Sequence, residues 1–115
     1  MKLSYQSCGE LVVTFAASDA VENNVVKVSS DSTVSECDEG DLFCGVVRSA
    51  SRDGLAASVQ IAGLARVSYS GTTAPSPGYD TLSADGDGGV QVDEDGKSYL
   101  VLSVNTTDKT ADILL

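Results

Sequence analysis

The sequence contains no histidine and no tryptophan, only two prolines, and seven basic residues against 17 acidic ones. Without histidine it lacks the commonest general base of enzymes, the base of serine-hydrolase triads and the commonest neutral metal ligand. It also lacks a P-loop, a dinucleotide-binding glycine fingerprint and a Gly-x-Ser-x-Gly motif. We therefore expect a protein that is not an enzyme, with no catalytic residue, no cofactor and no resident metal.

The shortage of basic residues leaves a formal net charge of -10. A chain with this charge is repelled by phosphate backbones and by anionic membrane surfaces, so we expect neither nucleic acid nor membrane as a partner. No apolar run approaches the roughly 18 residues of a membrane span. Residues 1–9 lack the apolar centre of a secretion signal, which predicts a soluble protein made inside the cell.

Cysteine is scarce as well, with Cys8, Cys37 and Cys44 forming an odd set. The spacing of Cys37 and Cys44 fits neither a zinc site nor a redox Cys-x-x-Cys motif. Buried, reduced thiols that pack as small apolar groups are the favoured interpretation. A bridge from Cys37 to Cys44 stays open if the two face each other across a hairpin.

Several polar patterns could carry chemistry, but each has a simpler interpretation. Aspartates lie in glycine-rich turns, paired as Asp85 with Asp87 and Asp93 with Asp95. A calcium-binding EF-hand loop starting at Asp85 would need oxygen ligands where Gly89 and Gly96 stand, so turns are favoured over a weak cation site. Asn105-Thr106-Thr107 matches a glycosylation acceptor and is more simply a turn.

Arginine occurs at three positions, Arg48, Arg52 and Arg66, which are the only clustered basic residues. Arg48 and Arg52 flank the same predicted hairpin. Solvated strand faces are the favoured interpretation, and contact with a phosphate or a carboxylate is the alternative.

The pattern that is present is one of short apolar runs separated by Gly, Asp and Ser, which is typical of strands. Helical periodicity is absent. The sequence predicts an all-β fold, a small antiparallel barrel or sandwich of about nine short strands. These are Glu10–Ala16, Asn24–Ser29, Thr33–Glu36, Leu42–Ser49, Leu55–Tyr69, Thr81–Ala84, Val90–Asp93, Ser98–Asn105 and Thr110–Leu115.

Glycines and a proline-containing segment should divide these strands. Asp53-Gly54 and Asp95-Gly96 predict tight turns with positive φ angles, and residues 70–79 form the one longer loop. Gly63 interrupts a segment that is long for one strand, so we expect a bend or bulge there that lets the strand either turn a barrel corner or serve two sheets. The second half should form an antiparallel meander.

The segment from Ser98 to Val104 has apolar residues on both faces. Alternation places Leu100, Leu102 and Val104 opposite Tyr99 and Val101. Such a strand is either buried on both sides or covered by a partner.

Two stretches carry a resemblance to a known family. The first runs from Phe43–Ala50 through Asp53-Gly54 to Ala57–Gly63, and the second joins Tyr99–Val104 to Ala111–Leu115. They resemble the capsid decoration, or head-stabilising, proteins of tailed bacteriophages and prophages. The resemblance implies an all-β protein that binds the major capsid protein on the outside of the virion capsid. It also implies a homotrimer, made in the bacterial cytoplasm, that stabilises the shell without catalysis.

Residues 1–8 match no motif of that family, whereas residues 9–115 are expected to form a single β domain. Leu3 and Tyr5 are apolar residues outside the expected core, which predicts a partner-binding arm that becomes ordered on the shell. The alternative function is a stand-alone β-sandwich module that binds carbohydrate or protein through a strand face or through residues 70–79. Its weakness is the shortage of aromatic side chains, on which sugar sites depend.

Overall fold

The computed structural model describes residues 10–18 and 20–115, and all regular structure within them is β. The all-β prediction is confirmed, with ten strands where nine were expected because the longest predicted strand is two. The strands are β1 (Leu11–Ala17), β2 (Val25–Ser30), β3 (Thr33–Glu36), β4 (Gly45–Ala50), β5 (Ala56–Ala62), β6 (Leu64–Ser68), β7 (Gly78–Ala84), β8 (Val90–Val92), β9 (Lys97–Asn105) and β10 (Thr110–Leu114).

The first five strands close a small barrel in the order β1-β3-β2-β4-β5. Every pair is antiparallel except β1 with β3, which run parallel. Alternation along the strands turns small apolar side chains inward, where they form one buried cluster. Its members are Ala17, Val26, Val34, Val47, Ala57 and Val59. Small residues suit this barrel because the space enclosed by five strands is narrow.

Gly63 separates the barrel from a second sheet, which is the second of the two roles expected for it. It has a φ of +91°, a conformation that residues with a Cβ rarely adopt. The strand before it, β5, belongs to the barrel, and the strand after it, β6, belongs to the second sheet. The Leu115 amide donates a hydrogen bond of 3.0 Å to the Gly63 carbonyl, so the last strand is attached to the same joint.

The second sheet has the order β6-β10-β9-β7-β8. All pairs of neighbouring strands in it are antiparallel. The predicted meander is nevertheless wrong, because β9 does not pair with the preceding strand β8 but with the far side of β7. Strand β10 then lies between β9 and β6. Strand β8 lies at the edge. A parallel bridge between Tyr69 and Val90 brings that edge back towards the end of β6, so the sheet is strongly curled.

A larger apolar cluster joins the barrel to the second sheet. The barrel side contributes Val25, Phe43 and Val46, and the sheet side contributes buried residues such as Leu82 and Ile113. The rings of Phe43 and Tyr99 stack across this junction with centroids 4.8 Å apart and planes 6° from parallel. The Tyr99 hydroxyl also donates a hydrogen bond of 3.0 Å to the Phe43 carbonyl.

The turns differ from expectation in some details. Gly54 has the predicted positive φ, +72°, but Gly96 does not have a positive φ. Glycine is needed at 96 because a Cβ there would lie 2.4 Å from the Leu82 carbonyl oxygen. Strand β7 begins at Gly78 and not at Thr81, so the longer loop is shorter than predicted, and β4 begins at Gly45 and not at Leu42.

Candidate functional site

An apolar row crosses the outer face of the second sheet. Leu114 lies opposite Leu64 on one side and Leu100 on the other, and Leu100 lies opposite Tyr79. Directly opposed residues point to the same face of an antiparallel sheet, so these four side chains form a line across four strands, about 14 Å long. Leu114 is 42% exposed and Tyr79 78% exposed. The row therefore lies on the face turned away from the core and towards solvent.

The predicted assignment of β9 side chains to two faces is wrong, because the strand contains a bulge. Ser103 pairs with Asp112 and Val101 pairs with Ile113, which leaves Leu102 as the extra residue. The bulge reverses the alternation, so Val104 packs against the main core together with Val101, while Leu100 stays on the outer face. Leu100, Leu102 and Val104 therefore do not share one face. That β9 is covered by a partner stays a prediction.

Beside the apolar row lies a polar one, centred on Asp112. This carboxylate is on the outer face of the sheet, yet its side chain is only 6% exposed. Arg66 Nε donates to its Oδ1 at 2.9 Å, and the Ser103 hydroxyl donates to its Oδ2 at 2.8 Å. A buried carboxylate is tolerated only when it is paired and hydrogen-bonded, so Asp112 holds the Arg66 guanidinium in a defined orientation.

On the neighbouring barrel wall, Gln60 orients Arg48 in the way that Asp112 orients Arg66. Its side chain is fully buried, and its amide nitrogen donates to the carbonyls of Ala62 at 3.0 Å and Leu64 at 2.7 Å, on either side of Gly63. Its Oε1 accepts a hydrogen bond of 2.8 Å from an Arg48 guanidinium nitrogen. Gln60 thus fixes the joint between the two sheets and aims the exposed Arg48 head at the same time.

These two arginines line one open cleft of about 290 Å³, together with Glu10 and Leu64. Leu64 belongs to the apolar row, so the cleft lies at the end of that row. A second cleft of about 270 Å³ is lined by Arg66 and four further residues, which are Asn23, Val67, Ser68 and Thr110. Of the three arginines singled out in the sequence, the structure brings Arg48 and Arg66 together and leaves Arg52 in the turn after β4.

Gln60, Asp112 and Glu10 were not recognised from the sequence. A signal existed for the first two, because each is a polar residue flanked by apolar ones within a strand, as in Val59-Gln60-Ile61 and Ala111-Asp112-Ile113. The pairing of Asp112 with Arg66 depends on strand order, which no local pattern contains, and the contact of Gln60 with Arg48 depends on the register of the β4–β5 hairpin, which is irregular between Val47 and Ser49. Glu10 precedes β1 and carries no local signal.

The aspartates of the glycine-rich turns accept hydrogen bonds from amides of their own turns and from serine hydroxyls of neighbouring segments. Asp85 Oδ1 accepts hydrogen bonds from the amides of Asp87 and Gly89. Asp93 accepts from the Asp95 amide and from the buried Ser83 hydroxyl, and the Ser83 contact holds the pKa of Asp93 below its usual range. Within residues 10–18 and 20–115, no group of three or more Cys, Asp or Glu side chains is arranged to hold a metal ion.

Cys37 and Cys44 are both free thiols, and Cys8 lies outside the described residues. Burial raises the pKa of Cys37 to about 11, with the negative charge of Asp41 adding to the effect. Burial likewise raises the pKa of Tyr99 to about 12. Both groups are therefore neutral in the folded protein well above the pH at which they ionise in an unfolded chain.

We expect the protein to lose stability steadily above pH 9. The unfolded chain gives up its Cys37 proton near pH 9 and its Tyr99 proton near pH 10, whereas the folded chain keeps both until about 11 and 12. The stabilisation is complete below pH 9 and declines by up to about 1.4 kcal/mol per pH unit for each group as the pH rises.

Urea unfolding followed by circular dichroism under reducing conditions, from pH 7.5 to 10.5, measures this decline. The Tyr99→Phe variant should show a shallower slope above pH 10 and the same slope between 9 and 10. A free energy of unfolding that stays constant to pH 10.5 would contradict the assignment.

Both residues predicted to bind a partner, Leu3 and Tyr5, lie outside the described residues. Within the described part of the chain, no helix is long and apolar enough to cross a membrane. No protein-family model matches the chain, and comparison with curated proteins finds no similar sequence.

Proposed function

We propose that this protein is a non-catalytic structural protein that binds the outside of a phage capsid and stabilises the shell. The observation that carries the proposal is the apolar row on the outer sheet face formed by Leu64, Leu114, Leu100 and Tyr79. Leu114 and Tyr79 are exposed, and Leu64 and Leu100 are half-buried. An aligned apolar row on an outer sheet face suits contact with another protein better than contact with water. A function that resides in a surface also fits a chain with no histidine and no nucleophile motif.

The family resemblance supports the choice of partner. The stretches that resemble phage decoration proteins correspond to β4 with β5 and to β9 with β10. Those strands contribute Arg48 and Gln60 in the first stretch and Leu100 and Leu114 in the second. The resembling segments and the candidate surface therefore overlap.

Stabilisation of a shell would come from repeated contacts. A homotrimer presents three copies of each surface, and the link between copies makes the second and third contacts intramolecular, which raises the overall affinity without any new contact. Bound across neighbouring shell subunits, such a trimer would oppose expansion by internal pressure. The virion surface is then the working location, after synthesis in the bacterial cytoplasm.

Cosedimentation with expanded heads assembled from the capsid protein of the same phage or prophage tests the proposal. We expect saturable binding to the expanded shell and a higher melting temperature of the decorated shell. Heads carrying an unrelated capsid protein are the control. Failure to sediment with the matched expanded heads would overturn the proposed function.

The residues before Glu10 contribute to this contact in our proposal, through Leu3 and Tyr5. The variant that lacks residues 2–8 should bind expanded heads more weakly while its circular dichroism spectrum stays unchanged. Leu3→Ala and Tyr5→Ala should reproduce part of the loss, and Ser4→Ala should not. Undiminished binding by the deletion variant would remove the arm from the proposal.

A stand-alone module that binds carbohydrate or protein is the second candidate. One observation favours it, the 78% exposure of Tyr79 near the start of β7, since sugars stack on exposed aromatic rings. A glycan array separates the two functions: binding that is lost in Tyr79→Ala would favour the carbohydrate module.

A further inference from the structure

In the described part of the chain, Arg48 is an exposed basic side chain whose orientation is fixed by a hydrogen bond to a neutral partner. Arg48 is exposed, and its guanidinium donates to the Oε1 of the fully buried Gln60. Among residues 10–18 and 20–115, no carboxylate oxygen lies within the 4.0 Å that defines an ion pair with Arg48. The hydrogen bond to Gln60 therefore fixes the orientation of the Arg48 guanidinium but leaves its positive charge unneutralised.

Gln60 can serve this purpose because its own position is fixed. Both of its described donor contacts are to backbone carbonyls on either side of the Gly63 joint, at 3.0 Å and 2.7 Å. A side chain held in this way cannot turn away from Arg48 without breaking buried hydrogen bonds. The guanidinium is preorganised, so less conformational entropy is lost when it binds an anion.

The surroundings of Arg48 select the kind of anion. Arg66 lines the same cleft and is paired with Asp112, while Glu10 adds a negative charge at the rim. The rest of the chain has a large acidic excess and repels extended polyanions. A single carboxylate fits this balance better than a phosphate backbone does, because it carries one charge and takes two parallel hydrogen bonds from a guanidinium.

The apolar row supplies the second half of the recognition. Leu64 lines the cleft and is also the first member of the row that continues through Leu114 and Leu100 to Tyr79. A partner segment laid along this row would carry its apolar side chains onto the leucines and bring a neighbouring acidic side chain to Arg48.

We infer that this surface is a docking site for a protein segment in which an Asp or Glu side chain stands beside apolar residues, the carboxylate binding Arg48 and the apolar residues covering the row. The inference rests on the proposed function for the identity of the partner, which is then the capsid protein. The docking chemistry itself does not depend on that identity.

A peptide titration of the full chain tests the docking chemistry. The probe is acetyl-Leu-Glu-Leu-amide, and acetyl-Leu-Gln-Leu-amide is the matched control without the charge. Nuclear magnetic resonance follows the Arg48 Nε and Gln60 amide signals. We expect saturable shifts of both with the Glu peptide and at least tenfold weaker effects with the Gln peptide. Equal shifts with both peptides, or none with either, would overturn the inference.

Single substitutions test which residues form the docking site. Arg48→Gln should abolish the response, Arg52→Gln should leave it unchanged as the matched exposed arginine, and Glu10→Gln should strengthen binding severalfold because it removes the competing charge. Stronger binding cannot arise from misfolding, so Glu10→Gln is informative even if Arg48→Gln perturbs the fold. Inorganic phosphate that displaces the Glu peptide at equal concentration would show a general anion site and overturn the assignment to carboxylate.

The capsid experiment keeps the two proposals apart. If wild-type protein binds expanded heads and Arg48→Gln binds at least tenfold more weakly, the docking site faces the shell. Full binding by Arg48→Gln would overturn that placement while the proposed function stands. If wild-type protein does not bind heads, the proposed function fails and the peptide titration alone decides the docking site.

Discussion

Replacing Gly45 with alanine should lower the free energy of unfolding by about 2–4 kcal/mol. Gly45 begins β4, and its neighbour β5 passes so close that a Cβ would lie 2.3 Å from the Gln60 carbonyl oxygen and 2.8 Å from Val59 Cγ1. Neither contact can be relieved by moving the end of a flexible side chain, because one atom is backbone and the other belongs to a fully buried valine. The barrel wall itself would have to shift.

Gly71→Ala is the matched control for this experiment. Gly71 has a φ of +97°, and a Cβ there would meet nothing within 4 Å, so the substitution adds backbone strain without a clash. We expect a loss of about 1 kcal/mol for that variant. Urea unfolding of the two variants side by side gives the difference. Equal losses would mean that close approach to β5 is not what requires glycine at position 45.

The Gly45 contact also bears on the docking site. A shift of the Gln60 backbone would move the amide that orients Arg48, so Gly45→Ala should weaken binding of the Glu peptide as well as stability. Gly71→Ala should leave that binding unchanged.

How far the sequence predicted this structure depends on whether a feature is local. The Gly63 break was predictable because alternation on both sides of it shows strands and the intervening glycine has no side chain to pack. That β5 and β6 belong to different sheets was one of two outcomes compatible with this break, and the pattern did not distinguish it from a strand that turns a barrel corner. The reversal of faces at Leu102 was not predictable, because the extra residue of a bulge is defined by the partner strand and not by its own sequence.

The candidate site shows the same limit more strongly. Arg48, Arg52 and Arg66 were all recognised, but nothing in the sequence distinguishes the pair that shares a cleft from the arginine that does not. Arg48 reaches the cleft because β4 pairs with β5, which continues past Gly63 into β6 and Arg66, whereas Arg52 lies in the turn at the other end of the β4–β5 hairpin. The pairing of β10 with β6 then places Asp112 opposite Arg66, and this contact is long-range. Hydrophobic pattern specifies which residues are buried, and strand order specifies which polar residues meet.

Replacing Phe43 with alanine should cost about 3–5 kcal/mol, the range for loss of a buried aromatic side chain. Phe43 lies in the connection from β3 to β4, is only 3% exposed and stacks on Tyr99 of the second sheet. It therefore contributes directly to the junction of the two sheets. Leu42→Ala is the matched control, because the adjacent leucine is 55% exposed and its loss should change stability by less than about 0.5 kcal/mol.

Tyr99→Phe divides the interaction into its parts. This variant keeps the stacked rings and removes the hydroxyl that donates to the Phe43 carbonyl, so we expect a loss of about 1–2 kcal/mol. In urea unfolding, we expect the loss in the free energy of unfolding to be largest for Phe43→Ala, smaller for Tyr99→Phe and smallest for Leu42→Ala. A loss below about 1 kcal/mol for Phe43→Ala would show that the barrel and the second sheet are held together without this stack. In that case the contact between the barrel and the second sheet would depend on the Gln60 hydrogen bonds across Gly63 and on the hydrogen bond from Leu115 to Gly63. Both sets of bonds lie beside the cleft that Arg48 lines.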